Sequence, residues 1–420
     1  MRLTTLLTDL TPDGRVLFGT RVLRLFAYGL LSVILALYLT EAGINERQIG
    51  LLLSATLAGD IVVSLIITTR ADRIGRRRML LLGAGLMLFA GVVFASTAYL
   101  PLLFIAAFAG IISPSGNEIG PFLSIEQAAL SQTLPDKKRT AVFAWYHLIG
   151  SFATALGALG GGVLAQSMQA GGMSALESYR TLVWVYAGLG LVLGLLFSRV
   201  SHSVEVVSAR AASSDAPASR LGLHKSRGIV LRLSALFSLD AFAGGFVVQS
   251  IVAYWFYVRF GVSPAVLGSV FFGANVLAGV SALAAARVAA RIGLINTMVF
   301  THIPSNILLI LVPLMPNLPL AILALLLRFS ISQMDVPTRQ SYTMSVVTPE
   351  ERSAAAGVTS VARSVGAAVS PSLAGLLLAV PALLSVPFFL SGGLKIVYDL
   401  LLYRGFQTHQ PPENVVQETT

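Results

Sequence analysis

This chain of 420 residues contains no cysteine, only four lysines and few charged residues of either sign. Without cysteine it can form neither a disulfide framework nor a thiolate metal site. None of the lysines follows a glycine, which excludes a P-loop that cradles nucleotide phosphates. Charged residues make up 11% of the chain and hydrophobic residues 55%, whereas a soluble domain carries about 25% charged residues. In water such a chain would expose too much apolar surface, so the sequence predicts a polytopic membrane protein.

Histidine is also scarce, and its positions indicate no metal site. The five histidines show neither zinc-ligand spacing nor an H-E-x-x-H pattern; they are His147, His202, His224, His302 and His409. We therefore predict no metal and no cofactor. The net charge of +10 could suggest nucleic acid as a partner of a soluble protein. In a membrane protein the position of the charges matters more, and we predict no nucleic-acid partner.

Long apolar stretches occur twelve times along the chain. A bilayer core of about 30 Å needs about 20 apolar residues per helix, and backbone groups in lipid must be satisfied internally. The sequence therefore predicts an all-α membrane protein with twelve transmembrane helices. The predicted spans are 16–40, 48–69, 79–98, 102–132, 140–165, 181–198, 229–258, 265–286, 294–315, 319–346, 353–379 and 383–403.

The connections between these spans differ in their content of Lys and Arg. With a cytoplasmic N-terminus, cytoplasmic segments hold twenty basic residues and the opposite side holds three, namely Arg47, Arg180 and Arg259. Basic residues accumulate on the cytoplasmic side, so both termini are predicted to be cytoplasmic. The first apolar run is too long for a cleaved signal peptide. We expect a multi-pass protein of the cell (inner) membrane.

The longest connection, 199–228, is polar and divides the spans six and six. The predicted domains are a tail 1–15, a six-helix bundle 16–198, the cytoplasmic linker 199–228, a second bundle 229–404 and a tail 405–420. An offset of 218 residues aligns Gly43 with Gly261 and Gly50 with Gly268, and then Arg73-Ile74-Gly75 with Arg291-Ile292-Gly293. These matches indicate internal symmetry, which predicts a binding site at the interface between the halves.

A short motif connects predicted spans 2 and 3. It has the spacing D-R-x-G-R-R and consists of Asp72, Arg73, Gly75, Arg76 and Arg77. Gly75 can adopt a positive φ, Asp72 can cap a helix or pair with an arginine, and the arginines can hold the loop at the membrane surface. Alone, this loop indicates topology. Together with twelve spans and the six-plus-six repeat, it resembles the major facilitator superfamily over about residues 15–404.

This resemblance carries several implications. In that family the motif latches the cytoplasmic ends of spans 2 and 11 in the outward-open state; here Thr68 replaces its first glycine, and Ala290 stands where the second half would repeat Asp72. Spans 1, 4, 7 and 10 line a central cavity. We therefore expect a monomeric secondary transporter in the lipid membrane, not an enzyme, with a small-molecule substrate and protons as the coupling ion.

Ionisable groups inside spans usually face a cavity or pair with each other. Span 4 is informative because Pro114, Gly116, Gly120 and Pro121 should break the helix around Asn117 and Glu118. The predicted substrate and proton cavity consists of Glu118, Asn117, Asp240, Arg24, Arg328, Asp335, Glu126 and Gln249. The charges predicted to be structural or to form gating salt bridges are Asp60, Arg363 and Arg339.

Some of these charges could pair locally. Arg21 and Arg24 share a face of span 1, and Arg21 could snorkel to the interface. Arg328 and Asp335 are seven residues apart and should share a face. Asp335 and Arg339 are four apart and could pair, as could Lys395 and Asp399. We predict that His147 and His302 are packed or hydrogen-bonded.

The leading functional prediction is proton-coupled export of a small organic compound, because a carboxylate in a low-dielectric cavity can load and release a proton. The alternative is an organic-anion or phosphate-ester carrier that uses Arg24, Arg328 and Arg363. A non-transporting membrane sensor is a further alternative. An enzyme would need a converging nucleophile and base, and the sequence contains no such constellation.

Overall fold

The computed structural model describes residues 10–133, 136–201, 204–205, 223, 226–348 and 351–407. Residues 1–9 of the predicted N-terminal tail lie outside the described residues. The same is true of most of the predicted linker 199–228 and of residues 408–420 of the C-terminal tail. Every regular element in the described part of the chain is helical, which agrees with the predicted all-α fold.

The chain divides into two compact units. The first comprises the described residues of Met1–Ala211 together with Val248–Asn275, and the second those of Ala212–Val247 and Val276–Thr420. Helices before the chain reaches the second unit are α1 (Pro12–Glu41), α2 (Glu46–Ile74), α3 (Arg76–Ser96), α4 (Leu100–Ala109), α5 (Phe122–Thr133), α6 (Asp136–Ala170) and α7 (Ala175–Ser198).

The remaining helices follow the predicted linker. They are α8 (Arg227–Gly245), α9 (Gln249–Phe260), α10 (Pro264–Ile292), α11 (Leu294–Leu311), α12 (Leu318–Phe329), α13 (Asp335–Ser345), α14 (Arg352–Leu378) and α15 (Val386–Phe406). Within the described residues, ten segments are long and apolar enough to cross a membrane, and α4 and α12 are shorter apolar helices. With α5 and α13, these two complete the predicted spans 4 and 10.

Three of the predicted spans are broken near their middle. Span 4 leaves the helical conformation over 110–121, where Gly116 and Gly120 have φ of 71° and 81°, so its predicted break is confirmed. Span 10 breaks at 330–334, three residues before Pro337. That proline lies in the first turn of α13, because its ring would clash with a carbonyl four residues earlier in a continuous helix. The break of span 7 at 246–248 follows Gly244 and Gly245 and was not predicted.

The repeat at an offset of 218 residues is visible in the helix boundaries. Adding 218 to the ends of α2, 46 and 74, gives 264 and 292, which are the ends of α10, and both helices have 29 residues. Gly75 and Gly293 follow them with φ of 113° and 86°, and Gly43 and Gly261 precede them with φ of 84° and 63°. The two halves of the sequence therefore turn at equivalent positions.

Close helix contacts within each unit depend on glycine. A Cβ on Gly157 of α6 would lie 2.0 Å from the carbonyl oxygen of Phe26 on α1. In the second unit, a Cβ on Gly366 of α14 would lie 2.3 Å from the carbonyl oxygen of Ser238 on α8. The glycines of α6 thus allow α1 and α6 to approach to backbone contact.

Candidate functional site

Arg24 on α1 is the centre of a buried ionic cluster in the first unit. Its Nη1 and Nη2 donate to Oε1 and Oε2 of Glu126 at 2.7 and 2.8 Å, which is the strong bidentate arrangement of guanidinium and carboxylate. Its Nε donates to Oε1 of Glu118 at 2.9 Å, and its Cζ lies 4.5 Å from the ring centroid of Phe122. Because the Arg24 side chain is 0% exposed, the two carboxylates, and not water, compensate its charge.

Arg21, one turn before Arg24, joins the same cluster. Its Nη1 donates to Oε2 of Glu118 at 2.6 Å, and its Nε donates to the carbonyl oxygen of Tyr146 at 2.7 Å. The prediction that Arg21 snorkels to the interface is wrong, since its side chain is buried. A carboxylate and a backbone carbonyl at its own depth satisfy the guanidinium, so it has no need to reach water.

The two glutamates of this cluster differ in their surroundings. Glu126 accepts four hydrogen bonds, two from Arg24, one from Thr20 Oγ1 at 3.1 Å and one from the Tyr146 hydroxyl. That number matches the acceptor capacity of a carboxylate. Its side chain is 0% exposed, whereas that of Glu118 is 15% exposed. Glu118 is therefore the acid of the pair that water can reach.

Glu118 lies in the non-helical segment of span 4, which α2 holds from one side. Asp60 on α2 accepts hydrogen bonds from the Gly120 amide at 2.6 Å and from Ser64 Oγ at 3.0 Å. The predicted salt bridge of Asp60 is therefore wrong within the described residues, since its nearest partner is an amide. The broken helix explains this contact, because it frees a backbone donor that needs an acceptor inside the membrane.

Asn117 and Gln249, both predicted to line the cavity, lie in the first unit. The Asn117 amide donates to Ser115 Oγ at 3.3 Å, and its side chain is exposed. Gln249 on α9 donates from Nε2 to Ser32 Oγ at 2.8 Å. The following residue, Ser250, donates from both its amide and its hydroxyl to the carbonyl oxygen of Pro114, at 3.0 and 2.8 Å. These bonds attach α9 to the broken span 4.

In the second unit, one carboxylate contacts three cations. Asp240 on α8 accepts from Lys395 Nζ at 2.5 Å through Oδ1. Through Oδ2 it accepts from Nη1 of Arg339 at 3.1 Å and from Nη1 of Arg363 at 3.2 Å. Arg363 is the most exposed of these side chains, at 34%. A single negative charge thus neutralises three positive groups only in part.

Asp335 and Asp399 complete this second cluster. Asp335 pairs with Nη1 of Arg339 at 2.9 Å, as the i,i+4 spacing predicted. The predicted pair of Lys395 with Asp399 is wrong: Lys395 bonds to Asp240. Asp399 instead contacts His302 Nδ1 at 2.8 Å. The partners come from neighbouring helices at the same depth, and they outcompete the pairing within α15. The prediction that His302 is hydrogen-bonded is confirmed.

Arg328, which is partly buried, differs from the other arginines inside the spans. It makes no ion pair or hydrogen bond with another side chain in the described residues, and its Nε is buried without a hydrogen-bond partner. Its Cζ lies 4.8 Å from the ring centroid of Phe329. The predicted shared face with Asp335 is wrong, because the break of span 10 lies between them and Asp335 faces Arg339.

The predicted gate motif forms the turn between α2 and α3. Gly75 has φ of 113°, which favours glycine. Asp72 accepts from Nε of Arg76 at 2.9 Å, so it pairs with an arginine rather than capping a helix. Arg76 is buried, whereas Arg73 is exposed. The role of this motif as a gate stays a prediction.

Glu205, which was not predicted as a functional residue, caps α3. Its Oε2 accepts from the amide of Arg76 at 2.6 Å, and its Oε1 accepts from the amide of Arg77 at 3.2 Å. A carboxylate at a helix N-terminus satisfies unpaired amides and opposes the positive end of the helix dipole. The nearby carbonyl oxygen of Ser198 accepts from Nη2 of Arg77. The only signal was an acidic residue soon after span 6.

Among the residues that the structure describes, no three side chains of His, Asp or Glu are placed to hold a metal ion. Both clusters are instead networks of ion pairs and hydrogen bonds. The model of the family described as Major Facilitator Superfamily matches residues 17–371 and 241–419 of this chain. The chain belongs to the Major Facilitator Superfamily. Its paired charges therefore lie inside the two units of a superfamily member.

A relative of this chain occurs in Saccharomyces cerevisiae. It is an uncharacterised membrane protein that is 31% identical over 417 residues, with 93% of each chain covered. Among solved structures, a variant of the nucleoside transporter NupG matches with a TM-score of 0.77 and 14% identity, covering 94% of this chain and all of that one.

Two further superfamily structures have the same fold. A D-xylose-proton symporter matches with a TM-score of 0.71 and 15% identity, over 93% of this chain and 97% of that one. The human organic anion transporter TETRAN matches with a TM-score of 0.62 and 17% identity, over 94% of this chain and all of that one. At these identities the likeness shows the fold alone.

Proposed function

We propose that this superfamily member is a monomeric secondary active transporter that exports a small organic solute by alternating access, with protons as the coupling ion. The fold is that of known transporters, including a D-xylose-proton symporter. The proposed location is the cell (inner) membrane with both termini cytoplasmic, which the excess of basic residues on one side supports.

The setting of Glu118 is the observation that supports this proposal most directly. Glu118 is an acid within a broken membrane span, it bonds to Arg21 and Arg24 at 2.6 and 2.9 Å, and it is partly exposed. Intramembrane carboxylates with these properties commonly serve as proton relays. Glu126 is less suited because it is fully buried and its acceptors are saturated.

Proton uptake at Glu118 would change the charge balance of the first cluster. The cluster holds two arginines and two glutamates, so it is neutral while both acids are ionised. A proton on one oxygen of Glu118 removes one negative charge and weakens its bonds to both arginines, because the Coulomb attraction between the ionised partners is lost. The cluster then carries a net positive charge in a low-dielectric environment, which favours a different arrangement of its helices.

The test is transport by the purified protein in liposomes with an imposed pH gradient, using a panel of neutral, cationic and anionic organic solutes. We expect pH-driven flux in the wild type and its loss in Glu118→Gln, which cannot ionise. Flux down a solute gradient without a pH difference should persist in that variant, because binding and coupling are separate. Right-side-out and inverted vesicles distinguish export from import.

The matched control is Glu177→Gln. Glu177 is exposed and forms a capping box with Ser174 at the start of α7, and glutamine preserves that cap. This variant should transport as the wild type does. Unchanged pH-driven flux in Glu118→Gln would contradict the coupling role of Glu118, and no flux of any solute would contradict the proposed transport function.

A further inference from the structure

The buried charges of the second unit do not balance. Three cations bond to Asp240, namely Arg339, Arg363 and Lys395, and Arg328 is a fourth cation within electrostatic range of Asp240 that forms no ion pair. The acids of the cluster are Asp240, Asp335 and Asp399. Among these Arg, Lys and Asp side chains, one positive charge is in excess. An uncompensated charge inside the membrane is costly, so this unit has a place for a negative charge that the described side chains do not supply.

Arg328 is where the excess lies. The three acids of the cluster bond to other groups, and the buried Nε of Arg328 has no hydrogen-bond partner. One helical turn further on, at the break of span 10, the buried hydroxyl of Ser332 also lacks a partner. Two unsatisfied polar groups at one break in a helix are unusual, because buried polar groups are nearly always hydrogen-bonded.

Arg363 lies in the same region of the cluster. It bonds to Asp240 through Nη1 alone and is the most exposed cation bonded to that carboxylate. Arg328 is also within electrostatic range of Asp240. Arg363 therefore bonds to Asp240 through a single nitrogen, whereas Arg328 has no ion pair with that carboxylate, and each guanidinium retains donors for a further acceptor.

We propose that the second unit binds an anionic group of the transported solute, a carboxylate or a phosphate, with Arg328 as its principal ligand and Arg363 and Ser332 as additional donors. This inference rests on the proposed transport function and adds the chemical class of the substrate. A planar guanidinium binds either oxyanion with two parallel hydrogen bonds. The negative charge of the anion neutralises the excess positive charge of the second cluster. The first cluster is already neutral and needs no such ligand.

A ligand-binding role and a structural role of Arg328 predict opposite effects of Arg328→Gln on the thermal midpoint of the ligand-free protein. Without an ion-pair partner, Arg328 contributes an unbalanced charge, so its removal leaves three cations against three acids. We expect the thermal midpoint of the ligand-free variant to equal or exceed that of the wild type. A structural ion pair would instead make the substitution destabilising.

The experiment measures thermal midpoints of the purified full chain in low-chloride buffer with succinate or glycerol 3-phosphate, and uptake of the same compounds in liposomes. Glycerol and choline serve as neutral and cationic probes. We expect one of the anions to stabilise the wild type and to bind about tenfold or more weakly to Arg328→Gln, the loss of roughly one charge-assisted hydrogen bond. Arg328→Lys should bind with intermediate affinity because it keeps the charge but not the fork.

Arg287→Gln is the matched control, because Arg287 is an exposed arginine of the same unit. Its anion response should equal that of the wild type. Equal anion binding by Arg328→Gln and the wild type, or a lower ligand-free midpoint of Arg328→Gln, would overturn the proposed site. Transport of glycerol or choline without any anion response would overturn the inference but leave the transport function standing. A lack of flux for every probe would contradict both.

Discussion

The buried clusters of the two units have similar settings but different chemistry. In the first, Arg21 and Arg24 face Glu118 and Glu126, and each charge has an opposite partner. In the second, Asp240 is shared by three cations, while Arg328 has no side-chain partner among the described residues. Because α2 and α10 repeat at an offset of 218 residues and turn at equivalent glycines, the difference arises from side chains placed on similar backbones.

This contrast suggests a division of labour. A neutral, saturated network is stable by itself and responds to a change in the charge of one member, as proton coupling requires. A network with excess positive charge is completed by a ligand. The proposed proton site and the proposed solute site therefore belong to different units, and the following variants test that separation.

The largest effect is expected for Arg24→Gln. It leaves Glu118 with one arginine and buries the charge of Glu126 without its bidentate partner. Breaking a buried ion pair in this way costs about 3–5 kcal/mol. We expect a large drop in thermal midpoint and in the yield of monodisperse protein, in contrast to Arg328→Gln of the second unit.

The double variant Arg24→Gln/Glu126→Gln provides the control, because it removes both charges and should recover most of the lost stability. A single variant as stable as the wild type would show that the first cluster is not the saturated network described above.

Glycine contacts provide a second test, in which the two units should behave alike. Gly157→Ala and Gly366→Ala each place a methyl group within 2.0 and 2.3 Å, respectively, of a backbone oxygen on a neighbouring helix. Overpacking of this kind costs about 1–3 kcal/mol, so the thermal midpoint should fall in both variants.

Gly188→Ala is the matched control, since its methyl group would meet nothing within 4 Å. It should be neutral or stabilise by up to about 1 kcal/mol, because alanine is the better helix former. A difference between Gly157→Ala and Gly366→Ala as large as that between the arginine variants would undermine the equivalence of the two backbones.

The smallest effect is expected for Glu205→Gln, because the Glu205 side chain only caps the start of α3 at the turn after α2. The loss of a negative charge at the start of α3 should cost about 0.3–1 kcal/mol. Faster hydrogen exchange of the first amides of α3 would report this. Exchange at the start of α11, the helix that begins after the equivalent Gly293, should not change; equal acceleration at both sites would point to a global loss of stability instead.

Local features of the sequence predicted much of the fold. Apolar length predicted the helices, glycine and proline around Asn117 predicted the break of span 4, and the Arg-Ile-Gly repeat predicted equivalent turns at Gly75 and Gly293. These features act over a few residues, so their effect does not depend on which helices are neighbours. The break of span 7 was missed because Gly244 and Gly245 are compatible with a helix as well as with its end.

Partners of buried charges were harder to predict. The spacing of four residues suggested Lys395 with Asp399 and Asp335 with Arg339, yet only the second pair exists. Within a helix the spacing brings two side chains close, but a charge on a neighbouring helix at the same depth can offer a better contact. Glu126 and Arg24 were both predicted to line the cavity. The contact of Glu126 with Tyr146 was not predicted, because it depends on how α6 packs against α1.

The segment that carries Glu118 is held at two points. Ser250 of α9 bonds to the carbonyl of Pro114, and Asp60 of α2 bonds to the amide of Gly120. Because this segment lacks helical hydrogen bonds of its own, these two contacts determine where Glu118 lies. Loss of either contact would move Glu118 away from Arg21 and Arg24, so a shift of α2 or α9 would also break the ion pairs of the first cluster.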